Sequence, residues 1–252
     1  MKTITLSLVV LFSFLLFSCN KKDSSSSTNN QPQSQQQTNS NTQTQTGSTG
    51  ESASQTLNQK ADELIPLEFD KKNIPASVKY KGNIMAGSRW LDKNGENLLI
   101  ITETDEQTTN KGDERLLSKE LFGYCYLIDG DKATLLWDIN DFIKECPLDM
   151  KLEYIPNSLS VTDLNSDGKA ENTFLYRMSC KGDVSPDALK LMMHEGNTKY
   201  AIRGTTRIEF EIDGKKQSEG GGATPDAAFK TAPESFLPYA EEQWDKFRIQ
   251  KP

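Results

Sequence analysis

A single histidine, His194, serves all 252 residues, so a multi-histidine zinc site is excluded. That one histidine ends the run Met192-Met193-His194, which reads as part of a strand. Basic clusters are equally scarce. Nothing is denser than Lys215-Lys216, and the chain carries a net charge of −7. A nucleic-acid binder needs a basic face to displace counterions from phosphates, so that class is not expected. No apolar run is long enough for a transmembrane helix: the longest, Ile4 to Phe17, is about 14 residues against the roughly 20 that a span requires. The glycine-rich stretch Glu219 to Thr224 lacks the Gly-Lys-Ser/Thr ending of a phosphate loop and reads as a surface loop.

The N-terminus has a specific composition. Lys2 supplies a positive start and Ile4 to Phe17 an apolar segment. Leu16-Phe17-Ser18-Cys19 then places a small residue directly before a cysteine. An ordinary signal peptide ends in two small residues at A-x-A spacing, whereas Phe17 is bulky, so Cys19 is the meaningful position. This is a lipobox. It predicts a signal peptide over 1–18 and a Cys19 that carries two or three acyl chains, each buried CH₂ contributing about 0.8 kcal/mol to membrane anchoring.

The segment 19–60 is almost wholly Ser, Thr, Asn, Gln and Gly, with Ser24 to Ser27 and Gln35 to Gln37 as unbroken runs. It has too little apolar surface to offset the entropy of ordering it, and predicts a disordered tether. Residues 61–252 form the expected single domain. Four lysines against two acids make the first 60 residues +2, which leaves −9 for the rest of a chain whose total is −7.

Of four cysteines, Cys19 is assigned to lipid and three remain, so they cannot all pair with one another. Cys125 lies in the strand-like run Leu121 to Ile128 and reads as a small buried hydrophobe. Cys146 precedes Pro147, and Cys180 stands where an apolar strand gives way to Lys181-Gly182-Asp183. Those two are the expected disulfide, a fully reduced set being the alternative.

From Ile84 onward, β-branched and aromatic runs alternate with turn signals, which predicts a mainly β, antiparallel domain, either a sandwich or a partial propeller-like stack. Ser88 to Leu91 and Asn97 to Glu103 flank an Asn94-Gly95 turn signal. Phe122 to Ile128 and Ala133 to Asp138 flank Asp129-Gly130-Asp131. Further strands are expected over Ser158 to Thr162, Thr173 to Met178, Leu189 to His194, Tyr200 to Thr205 and Ile208 to Ile212. Apolar spacing across Glu234 to Phe247 predicts one helix, with Pro238 confining its regular part to Tyr239 onward.

One motif carries chemistry. Asp163-Leu164-Asn165-Ser166-Asp167-Gly168-Lys169-Ala170-Glu171 has the form D-x-N-x-D-G-x-x-E, an alternation of oxygen donors suited to calcium. Asp163, Asn165, Asp167, the Lys169 carbonyl and Glu171 are the expected ligands, with Gly168 at the sharp turn. An EF-hand would need Glu at position twelve, where Phe174 stands. The alternative is a plain polar turn satisfied by its own backbone. Asp92 to Asn97 echoes the loop, but Lys93 falls outside the alternation and Asp is missing at the fifth place, so it is assigned no metal. Asp141 and Glu145 can be imagined as paired glycosidase acids, although sequence does not place them together, and no catalytic residue is assigned.

The loop resembles the calcium loops of FG-GAP and related β-rich repeats, where the ion is usually structural. Over a longer span, Val161 to Asn165, Ser179-Cys180-Lys181-Gly182-Asp183-Val184-Ser185-Pro186, Leu189 to Gly196 and Lys199 to Gly204 resemble a family of Bacteroidota lipoproteins labelled for surface polysaccharide biosynthesis. The resemblance spans about residues 84 to 210. It implies an outer-membrane, surface-exposed lipoprotein, attached through its lipid anchor, whose partners are surface polysaccharide or envelope proteins. The expected role is non-enzymatic binding or support of that polysaccharide; a carboxylate-dependent glycan-processing enzyme is the alternative.

Overall fold

A computed structural model describes residues 63–250; Cys19, the signal segment and the whole tether region 19–60 lie outside them. The described chain is mainly β, all strand pairings within its sheets being antiparallel. The first sheet contains β1 (Ile65–Leu67), β2 (Asn83–Asp92), β3 (Gly95–Glu103), β4 (Gln107–Lys111), β5 (Glu114–Asp129) and β6 (Lys132–Cys146). Strand β5 is its spine. Along one edge, β3 opposes residues Leu121–Ile128 and β4 opposes Glu114–Ser118; along the other, β6 pairs over nearly the whole length.

The second sheet contains β7 (Asp149–Tyr154), β8 (Ser160–Thr162), β9 (Glu171–Lys181), β10 (Ala188–Glu195) and β11 (Thr198–Thr205), together with the later β14 (Ala223–Pro225). Strands β12 (Arg207–Ile212) and β13 (Lys215–Gly220) form a separate ribbon. The chain closes with the helix α1 (Phe236–Phe247).

Period-two alternation decides how the sheets stack. Leu99, Ile101, Leu121, Cys125 and Trp137 from the first sheet share one core with Leu152, Tyr154, Phe174, Tyr176 and Met192 from the second. The intervening positions form two further cores. Leu98, Ile100, Phe122, Tyr124 and Tyr126 meet Val78 and Phe69 on one outer face. Leu175, Leu189, Leu191, Met193 and Tyr200 meet Phe229, Phe236, Ala240 and Trp244 on the other. The architecture is thus a sandwich, with each sheet covered on both faces. This explains why β3 reads as an unbroken apolar run, buried from Asn97 to Glu103.

Cys146 and Cys180 are bonded, Sγ to Sγ at 2.04 Å, linking the end of β6 to β9 and so one sheet to the other. Cys125 is free and 2% exposed. Burial, helped by the nearby Asp92 charge, pushes its thiol up to about 12.

Three local expectations change. Pro238 does not delay the helix, because it is the third helical residue after Ser235; the first-turn N–H groups have no intrahelical acceptor, so its missing donor costs nothing there. The turn between β2 and β3 is Lys93-Asn94, since Asp92 pairs with Gly95, which takes φ +113° as the first strand residue. The glycine-rich stretch also contains strand: Gly220 ends β13 and Ala223–Pro225 pair with β11. Close packing requires the glycine at Gly204, where a Cβ would lie 1.8 Å from the Gly222 carbonyl oxygen.

Candidate calcium loop

The D-x-N-x-D-G loop connects β8 to β9, whose last pair is Thr162 with Glu171. Two residues bend it sharply, Ser166 at φ +57° and Gly168 at φ +82°. The loop's oxygens turn inward onto its own backbone. The N–H of Asp167 donates to Asp163 Oδ1 (3.2 Å) and to Asn165 Oδ1 (3.1 Å), and that of Gly168 to Asp163 Oδ2 (3.1 Å). Lys169 donates its N–H to Asp167 Oδ1 at 2.8 Å, and its ammonium lies 3.3 Å from Asp167 Oδ2. Each carboxylate oxygen has two lone-pair directions, so an N–H bond leaves one free for a cation.

Glu171 differs from these. It is fully buried, and its Oε2 accepts from Leu164 N (2.9 Å) and Thr162 Oγ1 (3.2 Å). Its Oε1 is buried with no partner. Burial pushes this carboxyl from its usual 4.5 up to about 7, and Glu195 adds to the rise against the Leu164 and Thr162 donors. A buried carboxylate with one unsatisfied oxygen is costly unless a proton or a cation joins it.

The structure therefore draws Asp163, Asn165 and Asp167 around one set of N–H donors and fastens Glu171 to the same loop through Leu164. The carboxylates alone do not complete a metal centre: among the described residues, no three His, Cys, Asp or Glu side chains converge to hold an ion. A calcium ion here requires Asn165 and main-chain oxygen as well. The donor chemistry fits a hard cation, and the Lys169 ammonium beside Asp167 opposes it.

Sequence reasoning missed two neighbours. Asp92, in the turn assigned no metal, is 4% exposed and accepts from Trp90 Nε1 (3.1 Å), Asn94 N (2.8 Å) and Ala170 N (3.1 Å). With Lys93 N donating to Gly168 O at 2.8 Å, this turn docks on the loop and joins the sheets. The echo in the sequence was its only signal. The second neighbour is Glu195, which accepts from Asn165 Nδ2 at 3.0 Å and stands opposite Glu171 in the β9–β10 register.

The other candidates separate. His194 is 2% exposed and stacks on Trp137 with centroids 3.8 Å apart. Burial, with Lys199 nearby, lowers it to about 3, which leaves it neutral at ordinary pH. Asp141 accepts from the Tyr176 hydroxyl at 2.9 Å and pairs with Lys190, whereas exposed Glu145 lies 3.9 Å from Lys111. Those two carboxylates serve different cations and do not face one another as an acid pair.

Comparison with protein-family models, with curated proteins and with solved structures finds no match. Among the described residues, no helix is long and apolar enough to cross a membrane.

Proposed function

We propose that this chain is an outer-membrane lipoprotein, held at the cell surface through Cys19 and a polar tether, whose β-sandwich binds or supports surface polysaccharide without catalysing a reaction. The N-terminal pattern Leu16-Phe17-Ser18-Cys19 supports the anchoring. In the described domain, the only histidine is locked in a stack with Trp137, and Asp141 is engaged by Tyr176 and Lys190. Calcium is the proposed structural cofactor, with Asp163, Asn165, Asp167, the Lys169 carbonyl and Glu171 as its ligands. The observation that carries this part is the buried, unpartnered Glu171 Oε1. The ion would neutralise that oxygen and stiffen a loop that already joins the two sheets through Asp92 and Ala170.

The experiment is calorimetric titration of the full lipidated protein, in detergent, with purified envelope polysaccharide, alongside a reducing-end assay for turnover. Saturable heat without product release is expected; sustained release of new reducing ends would replace the binding role with an enzymatic one. Anchoring is tested by Cys19→Ala, which is expected to abolish palmitate labelling. Continued labelling of that variant contradicts the lipobox reading.

A further inference from the structure

We infer that Glu195, on the neighbouring strand β10, supplies a further side-chain ligand to the divalent-cation site formed by Glu171 and the 163–168 loop. This rests on the calcium reading of that loop and extends it to a residue outside the motif. Calcium takes six to eight oxygens, and the motif offers five groups. Glu195 is placed to add one, since its Oε1 lies 3.0 Å from Asn165 Nδ2, on the loop's third position.

The strand register supplies the stronger argument. Glu171 and Glu195 are direct partners across β9 and β10, so their side chains leave the same face with Cβ atoms about 5 Å apart. Like charges directly opposite one another destabilise a sheet, and burial strengthens the repulsion. Among the described residues, neither carboxylate forms a salt bridge with a lysine or arginine. The chain thus places two carboxylates side by side, fully buries one of them and leaves its Oε1 without a donor. A divalent cation between this pair and Asn165 removes the repulsion, satisfies Oε1 and uses the free lone pairs of the loop. Asn165 Oδ1, which accepts from the Asp167 N–H at 3.1 Å, keeps its second lone pair for the ion, and the Nδ2 bond to Glu195 is given up as that carboxylate turns to the same ion.

The test is calcium titration of the full lipidated protein in detergent, by calorimetry, comparing wild type with Glu195→Gln and Asp163→Ala. Wild type is expected to bind, Asp163→Ala to lose binding, and Glu195→Gln to bind at least about tenfold more weakly, because ligand charge sets calcium affinity. Wild-type affinity in Glu195→Gln overturns the inference while leaving the loop as a calcium site. An absence of binding by wild type overturns both. Asn165→Asp keeps the question answerable if Glu195→Gln fails to fold. It is expected to lower the melting temperature in chelator, by adding a third negative charge beside Glu195, and to gain more from millimolar calcium than wild type gains. An equal loss with and without calcium contradicts a shared site.

Discussion

The two ends of β9 join the same pair of sheets by different means. At its far end, Cys180 is bonded to Cys146 of β6, and close by Asp187 is fully buried against Lys181 at 2.6 Å, Lys151 at 3.4 Å and Arg177 at 3.8 Å. At its near end the joint is non-covalent. Asp92 accepts from Ala170, Lys93 donates to Gly168, and Trp137 stacks on His194. The far end has its buried carboxylate surrounded by three cations. The near end has one buried carboxylate, Asp92, met by three N–H donors, and another, Glu171, left with a bare oxygen. Burial and missing hydrogen-bond donors do not by themselves mark a binding site, since both Asp187 oxygens share them. What distinguishes Glu171 among the described residues is that no cation stands in for the missing donor, whereas Asp187 has Lys181, Lys151 and Arg177 within 3.8 Å.

Reducing the far joint should have the largest effect. The disulfide closes a 34-residue separation, for which the chain-entropy model gives about 3 to 4 kcal/mol. A reductant should lower the denaturant midpoint accordingly, and calcium should not restore it. In the native protein Cys146 and Cys180 should resist alkylation until reduced, and Cys125 until unfolding. Two reactive thiols at 146 and 180 before reduction would remove the covalent half of the comparison.

Next is Asp92→Ala, which strands the buried Trp90 Nε1 and Ala170 N–H donors. At roughly 1 to 3 kcal/mol for each orphaned group, the loss should be about 3 kcal/mol by denaturant unfolding, and Asp92→Asn should recover part of it. A change within about 0.5 kcal/mol, typical of ordinary surface substitutions, would mean that the near joint carries little of the load.

The pH dependence without calcium is smaller and has a definite sign. Glu171 has its folded pKa raised from 4.5 to about 7, so between those values the folded state holds a proton that the unfolded state has released. Stability contributed by the protonated group is present below about 4.5 and is lost as pH rises through about 7, an effect on the order of 2 to 3 kcal/mol. Melting curves of wild type and Glu171→Gln in chelator should therefore converge at low pH and separate above neutrality, with the glutamine variant the more stable there. Parallel curves across that range would show that Oε1 is not the exposed weakness of the near end.

Most of the sandwich was legible because period-two patterning and turn chemistry agree along β2, β3, β5, β6 and β9 to β11. The strand β7 was not: in Asp149-Met150-Lys151-Leu152-Glu153-Tyr154 only Leu152 and Tyr154 are buried, too short an alternation to stand out beside charged neighbours. The helix start was misplaced because Pro238 was weighed as an interior residue rather than a first-turn one. At the loop, local spacing identified the five proposed ligands, since all lie within nine residues. Asp92 and Glu195 escaped because they reach the loop from residues 78 positions before Ala170 and 30 after Asn165, distances that sheet register sets and sequence spacing does not. His194 was placed correctly on a strand, but its stack with Trp137 depends on how the two sheets face each other.

The most direct test of the account is thermal unfolding of the full lipidated protein in detergent, in chelator and in millimolar calcium. Calcium at 100 times its dissociation constant should add about 2.7 kcal/mol, a rise of roughly 5 to 10 °C for a domain of this size. The rise should be reversed by chelator and absent in Asp163→Ala. A melting temperature unmoved by millimolar calcium would contradict the account and leave the loop as a polar turn closed by its own N–H groups.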